Sequence, residues 1–189
     1  NKPVRIGNQA AEQVQNDSYG QILTTLLPLY VDHRILYKAR LDAAAWVTDV
    51  LHKMERIIDE TDAGLWEFRN TRQHHCYTQL FNWAGACAAI KMADKIADQK
   101  LKSLALHLKQ KAAQMIEQCY DAERKVYTEA IESKNLDAST LQLILMNYLD
   151  PESQKAKDHL ACLESRLKAD GGLFYRYKHE DDFGKPEST

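Results

Sequence analysis

Turn-forming residues are scarce in this chain, with 7 Gly and 4 Pro among 189 residues. A chain so poor in them has few places to reverse a β-hairpin. Its abundant Ala, Leu, Lys, Glu and Gln are good helix formers, so an all-α fold is expected. Apolar residues recur at helical spacing in several blocks. The first block runs from Ala10 to about Tyr30, through Val14, Ile22, Leu26 and Leu29. The second runs from about Ala39 to Ile58, with Leu41, Ala45, Val50, Leu51, Met54 and Ile57 on its inner side. A third covers about Tyr77 to Ala97, where Ala84, Gly85, Ala86, Ala88 and Ala89 permit close helix–helix approach. A fourth follows from about Lys100 to Tyr120, and after an irregular stretch a fifth from about Ala138 to Tyr148. The sixth starts at Asp150-Pro151-Glu152, where Asp caps, Pro suits the first helical position and Glu favours the positive dipole end. It ends near Asp170, before the left-handed stop of Gly171-Gly172. Short connections between the blocks predict antiparallel helical hairpins.

Charge narrows the function. A net charge of −2 and a pI near 6.4 give no general attraction to nucleic acid or an anionic membrane. No apolar run approaches the roughly 18 residues of a membrane span. Cys76, Cys87, Cys119 and Cys162 include no CxxC pair and read as free thiols of a reducing, cytoplasmic compartment. There is no glycine-rich phosphate loop and no GxSxG elbow. His74-His75-Cys76 offers no second cluster at ligand spacing, so no metal is expected. Asn1 reads as a cut end inside a longer protein, with Asn1–Asn8 a loop entering a helix.

Three segments are candidates for chemistry. Asp62-Ala63-Gly64-Leu65-Trp66-Glu67-Phe68-Arg69 interrupts the helical pattern and places a carboxylate between two aromatic rings. Desolvation there would raise a carboxyl toward proton-donor range, an indole stacks on a sugar ring, and Arg69 can bond hydroxyls. Equally, Trp66 can plug the core while Glu67 points into water. In Gln13-Val14-Gln15-Asn16-Asp17-Ser18-Tyr19-Gly20, helical spacing puts Gln13, Asp17 and Gly20 on one face and Gln15 and Tyr19 on its neighbour. That face is either a solvated stripe or a lining for a hydroxyl-rich ligand. Phe174-Tyr175-Arg176-Tyr177, followed by Glu180-Asp181-Asp182, offers either a planar hydroxyl-binding wall or an Arg stacked on Tyr at the surface.

In order and spacing, these segments resemble glycoside hydrolase family 15, the prokaryotic glucoamylase, trehalase and glucodextranase type. The resemblance rests on Pro3-Val4-Arg5-Ile6-Gly7-Asn8 leading into Gln13–Gly20, on Asp62–Arg69, on Asp137-Ala138-Ser139, and on Phe174–Tyr177 followed by Asp182-Phe183-Gly184. It implies part of an (α/α)₆ toroid and hydrolysis of α-glucosidic bonds, in glucans or small α-glucosides, with inversion and without a cofactor. Glu67 would be the general acid, with Gln15, Asp17, Trp66, Arg69, Arg176 and Tyr177 lining the glucose pocket. Inversion calls for a second carboxylate about 6.5–9.5 Å from the acid. The family places that base beyond the Tyr-Arg-Tyr loop, outside this chain, which alone is therefore expected to be inactive. The resemblance also admits a non-catalytic glucan-binding or regulatory domain, and an open part-ring would leave helix faces for pairing in an oligomer. Two positions depart from the family pattern. Asn70 stands where Gly is usual, and Trp83-Ala84-Gly85-Ala86-Cys87-Ala88-Ala89 lacks the Arg of the corresponding run.

Overall fold

The computed structural model describes residues 12–68, 70–181 and 184–186. Pro3–Asn8, Arg69, Asp182 and Phe183 lie outside the described residues. Six helices dominate: α1 (Asp17–Val31), α2 (Tyr37–Ile57), α3 (Cys76–Ile96), α4 (Gln99–Gln118), a single-turn α5 (Gln142–Leu145) and α6 (Gln154–Leu167). The fold class is all-α, as the scarcity of turn residues predicts.

Helix α3 is the centre of the packing. Thirteen of its 21 residues are buried, against four of 21 in α2, so α3 is enclosed on most sides and α2 on one. The small residues explain how. A Cβ placed on Gly85 would stand 2.6 Å from Gly20 Cα, and one on Gly20 would stand 2.0 Å from the Phe81 carbonyl oxygen. Backbones of α1 and α3 therefore touch with no side chain between them. Leu23, Val47, Leu51, Met92, Leu101 and Leu108 fill the core that α1 to α4 share. Between α3 and α4 only Ala97 and Asp98 intervene. Ala97 takes the left-handed conformation (φ 57°), and Asp98 caps α4 by accepting from the Lys100 and Leu101 amides at 3.0 Å.

Four places differ from the sequence reading, the fifth block among them: read as a helix from about Ala138 to Tyr148, it is a 3₁₀ turn (Ala138–Leu141) followed by the single turn α5. Helix α1 begins at Asp17 rather than Ala10, because the preceding segment runs beside the loop after α2 and spends its groups there. Val14 O accepts from Ala63 N (2.9 Å), and Asn16 N donates to Asp62 Oδ2 (2.9 Å). The irregular stretch after α4 is a hairpin of β1 (Tyr120–Asp121) and β2 (Val126–Tyr127), with Asp121 Oδ1 accepting from the Glu123 and Arg124 amides. No Asn-Gly or Asp-Gly marked that turn. Asp150 does not open α6 either. Residues 150–153 form a turn in which Asp150 Oδ1 accepts from Glu152 N, and Ser153 is the cap.

His159 fastens α6 to the rest. It is fully buried, accepts from Tyr127 N at Nδ1 (3.2 Å), and therefore carries its proton on Nε2, which donates to Thr140 O (3.1 Å). Burial holds its pKa below the ordinary 6.5. The folded state thus favours neutral imidazole, while the unfolded chain takes up a proton near pH 6.5. Stability from His159 is complete above that pH and is lost as the pH falls toward the lowered folded value. In urea titrations between about pH 7.5 and 5, His159→Gln is expected to flatten the acid-side loss relative to wild type. Parallel curves for the two proteins would exclude this linkage.

Candidate active site

The candidate site forms where the α2–α3 loop meets the start of α1 and the C-terminal loop. Asp62, 1% exposed, organises this junction. Its Oδ2 accepts from Asn16 N and Thr78 Oγ1, both at 2.9 Å, and its Oδ1 accepts from Gly64 N at 3.2 Å. One carboxylate therefore ties together the start of α1, the loop and the first turn of α3. The loop itself is closed by reciprocal backbone bonds between Asp62 and Gln73, at 3.0 and 3.1 Å.

Within the loop, Gly64 (φ 67°) and Glu67 (φ 58°) both occupy the left-handed region. Gly64 needs its missing side chain, since a Cβ would lie 2.7 Å from the His75 ring. Glu67 adopts the same region with a full side chain, a local strain of the kind that concentrates at functional sites. Its backbone is held on both sides: Glu67 N donates to Gly64 O (3.2 Å), and Gln13 Nε2 donates to Glu67 O (2.8 Å). Gln15 Nε2 donates to Gly64 O (3.1 Å). Gln13 and Gln15 thus lie ahead of α1 and brace the loop, rather than sharing a helical face with Asp17. The Glu67 side chain stands exposed. The neighbouring rings do not desolvate it, because both turn elsewhere.

Phe68 stacks on His75 (5.9 Å) and leans on Tyr177 (5.6 Å) and His179 (6.0 Å). Trp66 meets Tyr177 edge-on at 6.1 Å, and its indole N–H donates to Asp137 Oδ2 at 2.6 Å. Arg176 lies 5.9 Å from the Trp66 ring and 4.8 Å from that of Tyr177, and pairs with Asp181 Oδ2 at 3.3 Å. Tyr177 is buried and its hydroxyl donates to Asp181, so it supports the wall as a ring rather than offering a free hydroxyl. Burial and Asp181 both push its phenol pKa up.

Besides Asp62, Asp17 and Asp137 are buried carboxylates at this junction. Asp17, 4% exposed, accepts from Gln21 Nε2 through Oδ2, while Oδ1 has no hydrogen-bond partner among the described residues. Burial, reinforced by Asp62, raises its pKa. Asp137, 4% exposed, is raised to about 6 by burial, against the lowering effect of its bonds from Ser139 and Trp66. Sequence reasoning placed Asp137 only at a helix start, put Gln13 on a polar helical face, and assigned no role to His75 or His179. Asp137-Ala138-Ser139 carried only the resemblance to a helix start, and nothing local reveals a partner 71 residues away in Trp66. A cavity of about 260 Å³ adjoins the loop at Phe68, Glu129 and His179, but Asp17, Trp66 and Glu67 do not line it. Among the described residues, no three of His, Cys, Asp and Glu are placed so that they could hold a metal ion, and no helix is long and apolar enough to cross a membrane.

Residues 1–188 match the family described as Glycosyl hydrolases family 15. The chain belongs to that family. Among curated relatives, a trehalase of Thermoplasma volcanium is 29% identical over 192 residues, covering all of this chain and 30% of that protein. A trehalase of Mycobacterium tuberculosis is 31% identical, covering 97% of this chain and 26% of that one. The family 15 chain therefore spans about a third or less of the curated relatives it matches. Solved structures share its fold. A glycosidase in complex with glucose aligns with a TM-score of 0.76 at 16% identity, covering 92% of this chain and 45% of that one. A bacterial glucoamylase complexed with acarbose aligns at 0.70 and 18% identity, covering 94% and 29%. The helical hairpins of this family 15 chain are thus those of part of an (α/α)₆ toroid.

Proposed function

We propose that this chain is the acid-bearing segment of an inverting α-glucosidic hydrolase, with Glu67 as general acid and trehalose as the first substrate to test. The observation that carries this reading is the way Glu67 is displayed. A strained left-handed residue, its main chain braced through Gln13 and Gly64, exposes its carboxyl and follows directly on Trp66, whose ring the Arg176 guanidinium faces. A protonated Glu67 would give its proton to the glycosidic oxygen as the bond to the anomeric carbon breaks. Asp17, with one buried oxygen unpartnered, is suited to accept from a sugar hydroxyl, which would satisfy that atom. Trp66 and Arg176 supply a stacking face and donors, and Arg69 follows two residues after the acid. Gln15 and Tyr177 complete the pocket by holding the loop and backing the indole. The base that activates water belongs, in this reading, to the remainder of the full-length protein, about 6.5–9.5 Å from Glu67. No cofactor takes part. Trehalose heads the substrates because the curated relatives are named trehalases. Free thiols at all four cysteines suit a cytoplasmic enzyme.

The test compares the full-length protein with residues 1–189 on trehalose, maltose, isomaltose and soluble starch. The full-length protein is expected to release glucose; from trehalose, inversion at the attacked ring gives one β-glucose while the leaving glucose keeps its α configuration, so NMR should first show the two anomers in equal amounts. The segment alone is expected to release none. Initial release of α-glucose alone from trehalose would overturn inversion. A full-length protein that cleaves none of the four would overturn the hydrolase reading.

A further inference from the structure

Asp137 belongs to a motif of the sequence, yet neither acid catalysis nor sugar contact accounts for it. It is nearly fully buried and lies where three separate segments meet. Its Oδ2 accepts the Trp66 indole N–H of the acid loop at 2.6 Å. Its Oδ1 accepts Ser139 N at 2.6 Å, capping the 3₁₀ turn Ala138–Leu141 that precedes α5. The next amide, Ala138 N, donates to Arg176 O at 2.8 Å and so anchors the Tyr-Arg-Tyr loop. Trp66 immediately precedes Glu67, and the Arg176 guanidinium lies over the Trp66 ring. The two halves of the proposed sugar wall are thus registered to one another through a single side chain and the amide after it.

We infer that Asp137 is a positioning residue, which uses its two carboxylate oxygens to lock Trp66, and through it Glu67, against the Arg176 loop. The inference deepens the proposed reading and rests on it for its kinetic consequence. The chemistry is specific to a carboxylate. Two N–H donors converge on one side chain, and a carboxylate offers an acceptor oxygen to each. Asn offers one oxygen, and its NH₂ would face the other N–H. Ser is a good N-cap and keeps the Ser139 bond, but it is too short to reach the indole. Asp137→Ser therefore separates capping from positioning.

In the full-length protein, Asp137→Ser and Asp137→Asn are expected to lower kcat by about 10- to 100-fold, as misplacement of a reacting group does. In a Trp66→Phe background, Asp137→Ser should change kcat by less than about twofold, because the bond it removes is already gone. Independently of activity, the Trp66 indole ¹H–¹⁵N resonance, assigned by its loss in Trp66→Phe, should shift upfield in Asp137→Ser as a charge-assisted bond is lost. Should Asp137→Ser fail to fold, the isosteric Asp137→Asn carries the same two measurements. Additive kcat losses in the double variant, or an unmoved indole resonance, would overturn the inference. A wild-type protein that hydrolyses nothing would sink the proposed function instead, and the resonance would then decide the role of Asp137 alone.

Discussion

Glu67→Gln is expected to reduce glucose release by the full-length protein by about 10²- to 10⁴-fold, the usual contribution of a positioned proton donor. Its other properties should barely move. The Glu67 side chain is exposed and takes no part in the core clusters, so changing its carboxyl to an amide should alter stability by no more than about 0.5 kcal/mol. Gln also tolerates the same backbone conformation at the same strain, and the Gln13 and Gly64 bonds involve only the Glu67 main chain. The loss should therefore fall on kcat, with KM for trehalose nearly unchanged, since proton donation matters only in the transition state. Steady-state kinetics and a thermal melt on the same preparation check both halves. Unchanged turnover would remove Glu67 from the mechanism. A parallel collapse of the melting temperature would instead show that its carboxyl holds the loop.

The legible part of this molecule is the part governed by local chemistry. Helices α2, α3 and α4 were readable within a few residues, because each carries a long apolar stripe and the α3–α4 break coincides with a capping Asp98. The run of small residues around Gly85 also announced close packing, and Gly20 turned out to be what it packs against. What sequence could not show is which polar groups spend themselves on distant partners. Gln13 and Gln15 fit a helical face by spacing, but their amides bond to Glu67 and Gly64 some 50 residues on, and that pulls the segment out of the helix. The acid loop was visible as a motif with a carboxylate between rings. Its desolvation was not, since Trp66 turns to Asp137 and Phe68 to His75 and His179, leaving Glu67 exposed. Tyr177 fits the sequence reading of a planar wall around Arg176 as a ring, because Asp181 takes its hydroxyl.

Among the described glycines, Gly20→Ala should be the most damaging, costing about 3 kcal/mol or more. The added Cβ would meet the Phe81 carbonyl oxygen at 2.0 Å and its carbon at 2.4 Å, both backbone atoms that no side-chain rotation can move. Helices α1 and α3 would have to separate. The cost is not confined to the contact, because α3 also begins at Cys76, two residues before Thr78 reaches Asp62. Asp62 in turn holds Asn16 and Gly64, so shifting α3 against α1 disturbs the base of the acid loop. Gly20→Ala should thus lower both the urea midpoint and glucose release in the full-length protein. Gly85→Ala attacks the same crossing from the other side, at 2.6 Å from Gly20 Cα, and the two losses should not add. Gly171→Ala is the control: a Cβ there meets nothing within 4 Å, so only its left-handed φ of 89° is penalised, at about 1–2 kcal/mol. If Gly20→Ala and Gly171→Ala unfold at the same urea concentration, backbone contact between α1 and α3 is not what sets the spacing of these helices.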